Sequence, residues 1–320
     1  MRNRLDTAAP SSRIREEICV AVLADGSRLD VPLIVITGAE RRPRLVCVAG
    51  IHGDEPEGMR ALMELADELD PAALRGQLVL VPVANPSAFG AGLRMSPIDG
   101  LDLNRIFPGS SQGSISERLA HMLFNEVLLG ADFVFALHSW YATGEVMPYV
   151  EYGHTIAATA RASLGAAHAA GFELIRASHW PQGLMTRCVN EAGIPAIESE
   201  IGGLGVITAD GTSITKLCIR SLMVHLGMLE GAVAPSQGRI VDQFELATPC
   251  GGFLDIAVPL GVELDAGDTL GLIRALDGAV RDRIVMPRRG LLGAVRRAPR
   301  VQPGERIARL FIPYQGVEAR

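Results

Sequence analysis

The chain has 320 residues, 48% of them hydrophobic, enough to bury one large core or a core and a small satellite domain. Its net charge of -6 and pI near 5.7 give no general attraction for phosphate backbones or anionic surfaces, which argues against nucleic acid and membranes as partners. Five widely spaced cysteines without a CxxC pair fit buried thiols in a reducing compartment, and neither a signal-peptide core nor a membrane-length apolar run is present, so a soluble, cytoplasmic protein is expected.

From about residue 16 to 230, strand-like apolar runs alternate with helical patterns. EEICVAV, VPLIVIT and RLVCVAG read as strands, MRALMELADEL as a helix and QLVLVPVA as a strand. SISERLAHMLFNEVLL reads as a helix opened by the Ser114–Glu117 capping-box spacing, and ADFVFALHS reads as a strand. Then come an Ala-rich helix (TIAATARASLGAAHAA), a strand (GFELIRA), a helix (GLMTRCVNEAG), a strand (IPAIESEI) and a long helix, ITKLCIRSLMVHLGML. Such alternation predicts an α/β fold with a mixed sheet flanked by helices. Lys216, the only lysine among 30 Lys and Arg, falls on that last helix and reads as a surface residue, which leaves little room for lysine-linked chemistry.

Near GAVAPSQGR the character changes, and short apolar segments separated by Gly and Pro turns follow: GGFLDIAV, GVELDAGDTLGLIRAL and GLLGAVRRAPRVQPGERIARLFIP. They predict a smaller all-β sandwich or barrel over 239–320, behind a hydrolytic domain over 1–238. The turns are similar to biotinyl or lipoyl carrier domains. With no lysine after residue 216 to modify, an appendage that shapes the site is the stronger reading.

Four segments carry candidate chemistry. In AGIHGDEPEG (49–58) a strand ends at Gly50 and a helix begins near Glu57, so His52 and Glu55 occupy a strand-to-helix turn at the sheet edge where α/β proteins bind ligands. An imidazole and a carboxylate three residues apart can converge on one ion, while Pro56 suits a first helical position. A hydrolytic zinc needs a third ligand, and His138, ending the apolar run ADFVFALHS, is the best candidate; the other histidines lie on helices or loops without a comparable placement. IPAIESEIGG offers Glu198 and Glu200 on one face of a strand end, carboxylates suited to moving a proton. In RMSPIDGLDLNRIFPG (94–109), Asn104 and Arg105 sit between apolar residues, a fork and an amide that suit a carboxylate. Arg94 is suited to a developing oxyanion.

Together, GIHGDEPEG, NPSAFGAGLRMSPIDGLDLNRIFPG, LHS and ESEIGG, in this order, resemble the succinylglutamate desuccinylase/aspartoacylase family, related to zinc carboxypeptidases. The likeness covers nearly the whole chain. It is greatest to the bacterial branch that includes the acetyl-diaminobutyrate deacetylase. It implies one zinc per chain held by His52, Glu55 and His138, with Glu200 as general base and acid, Asn104 and Arg105 on the substrate carboxylate, and Arg94 as carbonyl polariser. Two positions depart from the family pattern. Ala136 stands where an acidic residue commonly precedes the third ligand, which bears on how the His138 region is oriented electrostatically, and Trp140 and Tyr141 stand where small residues often follow it, which predicts a narrower or more aromatic pocket. The expected activity is hydrolysis of the amide of a small N-acylated amino acid. A carboxypeptidase and a non-catalytic binding homologue are the alternatives. The partner expected is a small-molecule substrate, and a homo-oligomer stays open.

Overall fold

The computed structural model describes residues 2–232 and 238–316, so the GAVAPSQGR transition falls largely outside the described residues. Helix α1 (Arg2–Thr7) precedes strands β1 (Ser12–Val22), β2 (Arg28–Thr37) and β3 (Arg44–Ala49), then helix α2 (Pro56–Glu68), strand β4 (Gln77–Val81) and helix α3 (Pro86–Ala91). Helix α4 (Ile115–Met122) runs on into a π-helical turn to Leu128, before β5 (Phe133–His138) and β6 (Gly144–Gly153). Helix α5 (Ala157–Ala169), β7 (Leu174–Ser178), α6 (Met185–Glu191), β8 (Ala196–Gly203) and α7 (Ala209–His225) complete the first part. The remaining elements are all strands: β9 (Arg239–Ala247), β10 (Gly252–Asp255), β11 (Glu263–Leu264), β12 (Thr269–Arg274), β13 (Val280–Val285), β14 (Gly290–Arg296), β15 (Arg300–Val301) and β16 (Arg306–Pro313).

A twelve-stranded sheet runs in the order β1-β2-β4-β3-β5-β8-β6-β7-β9-β16-β14-β11. Its centre is parallel, with β4, β3, β5 and β8 side by side, and β6 enters antiparallel to β8, so the sheet is mixed as expected. Strands β3, β4 and β5 are buried along their whole length, as parallel strands covered by helices on both faces must be. Met59, Leu62 and Leu65 of α2, Ala166 of α5 and Leu222 of α7 pack on one face, while Leu119 of α4, Met185 of α6 and Leu5 of α1 pack on the other. The Ser114–Glu117 capping box is present with both of its hydrogen bonds. Lys216 bridges α7 to Glu64 and Glu68 of α2 at 2.8 and 2.6 Å, a structural tie rather than a chemical group.

The C-terminal strands do not form a sheet of their own throughout. β9 pairs parallel to β7, β16 pairs with β9, and β14 pairs with both β16 and β6, so hydrogen bonding runs unbroken across the expected division at residue 238. A second sheet, β13-β12-β10-β15, packs Leu270, Ile273 and Ile284 against Leu292, Leu310 and Ile312 of β14 and β16. Two cysteines differ from expectation: Cys19 is exposed on edge strand β1 and Cys250 is half-buried, while Cys47, Cys188 and Cys218 are buried. Among the described residues no helix is long and apolar enough to cross a membrane.

Candidate active site

Helix α2 begins at Pro56, leaving His52 and Glu55 in the turn beyond β3. Two glycines make this turn possible for different reasons. Gly50 has φ +68°, a left-handed conformation that disfavours a side chain, whereas Gly53 would bring a Cβ to 2.0 Å from the Ala88 carbonyl carbon. The Glu55 carboxylate is the centre of the cluster: its two oxygens lie 2.8 Å from His52 Nδ1 and 2.9 Å from His138 Nδ1, and Ser139 N donates to it at 3.2 Å. One ligand atom from each of these three buried residues lies within 4.8 Å of the others, a two-nitrogen, one-oxygen set of the kind that holds a catalytic zinc with a position left open. Burial would push the Glu55 carboxyl up, but His52 and His138 outweigh it and hold it well below the usual range. Burial lowers His138, and Glu198 and Glu55 overcome that and raise it to about 9, so a cation arriving here would displace a proton.

The other acids of the loop are structural. Glu57 is buried and accepts from Thr208 N and Thr208 Oγ1, joining the first turn of α2 to the N-cap of α7, while Asp54 accepts from Ala142 N at 3.3 Å.

The 94–109 segment folds back over the cluster. Asp102, which no sequence signal singled out, caps the short turn Leu103–Arg105 by accepting from Asn104 N at 2.9 Å and also lies 3.2 Å from His52 Nε2. A carboxylate on the far ring nitrogen fixes tautomer and ring orientation when the near nitrogen is a ligand. Arg94 bridges the same groups, 3.1 Å from Glu55 and 3.2 Å from Asp102. Asn104 is buried and its Oδ1 accepts from Met185 N at 3.0 Å, so that oxygen anchors α6 while the amide nitrogen is the donor Asn104 can offer a carboxylate. Arg105 is exposed, lines the cavity and donates from Nη1 to the Asn104 carbonyl at 2.7 Å.

Glu200 stands in register with His138 on the neighbouring strand, and Tyr149 of β6 is its partner on the other side. Its Oε2 is buried without a hydrogen-bond partner, and burial together with the Glu55 charge pushes its carboxyl up to about 7. The structure thus brings together His52, Glu55, His138, Glu200, Arg94, Asn104 and Arg105 around one cavity of about 340 Å³. Trp140 and Tyr141 are in its wall, as the departure at those positions predicts.

Part of the wall was not read from sequence. Glu151 accepts from Tyr149 at 3.0 Å and Trp180 at 3.2 Å and pairs with Arg176; Arg309 of β16 donates to Tyr149 and Glu245 and stacks 4.6 Å from the Trp140 ring. His179 also lines the cavity, although nothing in its sequence context set it apart.

Comparison with known proteins follows the same lines. The family model described as succinylglutamate desuccinylase/aspartoacylase catalytic domain matches residues 41–226. The N-alpha-acetyl-L-2,4-diaminobutyric acid deacetylase of Halomonas elongata is 30% identical over 291 residues, covering 87% of this chain and 84% of its own. Among solved structures, the product-bound ectoine utilization protein EutE (DoeB) of Ruegeria pomeroyi superimposes with a TM-score of 0.87 at 25% identity, covering 95% of this chain and 97% of its own. A succinylglutamate desuccinylase/aspartoacylase from Rhodobacter sphaeroides gives 0.84 at 26% identity, covering 94% and 96%.

Proposed function

Because the chain belongs to the succinylglutamate desuccinylase/aspartoacylase family, we propose that it is a zinc-dependent amidohydrolase that removes a small acyl group from an N-acylated amino acid. The observation that carries this reading is the convergence of both imidazole Nδ1 atoms on Glu55 beside the unpartnered Glu200 oxygen. His52, Glu55 and His138 would hold the zinc, which when bound acidifies water and polarises a carbonyl.

The chain's own groups do the rest. Glu200 takes a proton at its carboxylate and returns it to the leaving nitrogen, a role supported by its buried, unpartnered Oε2 beside the cluster and by a carboxyl that burial and the Glu55 charge push up. Arg94, with its guanidinium 3.1 Å from Glu55, supplies positive charge where the carbonyl oxygen becomes negative. Arg105, exposed in the cavity wall, takes the substrate carboxylate with the Asn104 amide nitrogen beside it. The match to a deacetylase and to the desuccinylase/aspartoacylase family supports an N-acyl amino acid over a peptide, which sets the carboxypeptidase alternative second. The acetylated diamino acid of the Halomonas relative is the first substrate to try.

The reading is tested with purified protein, zinc analysis and a mass-spectrometric screen of N-acetyl, N-succinyl and N-formyl amino acids against dipeptides. Zinc near one per chain with release of one acyl group is expected. Protein that takes up no zinc, or that cleaves only the dipeptides, overturns it.

A further inference from the structure

Ala136 and Glu198 are in register on β5 and β8, two residues before the His138–Glu200 pair, so all four side chains point to one face of the sheet. With only a methyl group at 136, strand β5 supplies no polar atom beside its own histidine. The neighbouring strand does: Glu198 Oε2 lies 3.9 Å from His138 Nε2. That nitrogen is buried and has no hydrogen-bond partner, while Nδ1 of the same ring faces Glu55 at 2.9 Å. Glu198 is itself buried and steadied by Thr186 Oγ1, which donates to the same Oε2 at 3.1 Å.

A neutral imidazole carries one proton. When Nδ1 is a metal ligand that proton sits on Nε2, and a buried N–H needs an acceptor. Closing the gap by about 1 Å makes Glu198 that acceptor at ordinary hydrogen-bond length. We propose that Glu198 is the positioning residue for His138, holding the Nε2 proton and leaving Nδ1 free for the metal, from the adjacent strand because position 136 carries no acid. Asp102 stands in the same relation to His52, at 3.2 Å from its Nε2, so each imidazole of the cluster has one carboxylate behind it. The inference rests on the zinc reading above.

The test is zinc affinity, measured by chelator competition on the full chain, for wild type, Glu198→Gln, Glu198→Ala and the double variant Ala136→Asp/Glu198→Ala. Loss of a carboxylate behind a metal-bound imidazole weakens binding about 10–100-fold, which is expected for Glu198→Ala, with Glu198→Gln between it and wild type. The double variant returns the acid to the histidine's own strand and should recover most of the loss, which a merely structural role for Glu198 would not allow. Wild-type affinity in Glu198→Gln overturns the inference, and so does a double variant no tighter than Glu198→Ala. Should Glu198→Ala fail to fold, Glu198→Gln, which keeps an acceptor for Thr186, decides. A wild-type protein that binds no zinc removes the metal reading itself, an outcome distinct from a zinc-binding wild type with indifferent variants.

Discussion

The role proposed for Glu200 comes with a cost in stability. Burial and the Glu55 charge raise its carboxyl from 4.5 to about 7 in the folded chain. The unfolded chain therefore gives up its proton at lower pH than the folded one, so stability falls as pH rises from about 4.5 to about 7 and the deficit persists above that. A glutamine cannot ionise. Metal-free Glu200→Gln should melt at higher temperature than wild type above pH 7 by an amount worth up to roughly 3–4 kcal/mol, from 1.36 kcal/mol per pH unit, and the difference should close near pH 4.5. Bound zinc adds positive charge that favours the carboxylate, so the gain should shrink in the loaded protein. Turnover moves the opposite way, falling about 10²–10⁴-fold. Thermal melts over pH, with and without zinc, and steady-state rates check both parts. Arg105 predicts a different kinetic split: if it grips the substrate carboxylate equally in ground and transition states, Arg105→Ala raises KM about 10–100-fold and leaves kcat nearly unchanged, the worth of a charged hydrogen bond. A kcat loss without a KM rise would move Arg105 from substrate binding to the chemical step.

At the scale of elements, the site depends on how closely the 50–58 turn lies against α3. Gly53→Ala would press a methyl group into the Ala88 carbonyl, and backbone, unlike a flexible side chain, cannot give way cheaply. An expected loss of about 1–3 kcal/mol in stability comes with a displaced His52, so zinc affinity should fall too. Chemical denaturation and chelator competition on one preparation check this, and a variant with native zinc affinity would show that the turn relaxes without moving its ligands. This loop was legible because strand, glycine, proline and helix follow in an order that local chemistry fixes. The same holds for the central strands, whose continuous apolar runs match their complete burial. Strand β6 was not legible. Its sequence GEVMPYVEYG contains Pro148, which a regular ladder excludes, and the pairing with β8 is irregular between Val146 and Tyr149, where the proline falls. Missing β6 meant missing Glu151 and Tyr149. Helix α3 was readable in principle, since Asn85 caps it and Pro86 opens it, but six residues carry too little periodicity. Asp102 acts through a turn cap whose second partner, His52, lies 50 positions away, and that pairing exists only in the folded chain.

The whole molecule joins what the sequence divides. Composition changes near residue 231 because helices give way to turn-linked strands, yet β9, β16 and β14 extend the large sheet and β14 also pairs with β6 beside the site. Trp140, Val146 and Tyr149 from one side of the expected boundary pack with Val241, Leu291 and Phe311 from the other, and Arg309 lies over the Trp140 ring. The C-terminal strands therefore build a wall of the cavity, and weakening their seam should be felt at the site. Phe311, 3% exposed and 5.0 Å from the Tyr149 ring, is the residue to cut. Phe311→Ala should cost about 3–5 kcal/mol. If the continuous sheet makes the two parts one cooperative unit, tryptophan fluorescence, which reports Trp140 and Trp180 at the cavity, and far-ultraviolet dichroism, which reports the whole chain, should shift to lower denaturant together and remain superimposable. Were the parts independent, the variant would populate an intermediate in which the C-terminal strands have melted while the proposed zinc ligands, His52 and Glu55 in the turn after β3 and His138 at the end of β5, still hold their ion, and zinc release would trail the dichroism signal. Coincidence of all three signals in wild type and variant is the expected outcome, because no edge of the sheet lies between the site and residue 311 across which the chain could part without breaking a ladder of backbone hydrogen bonds.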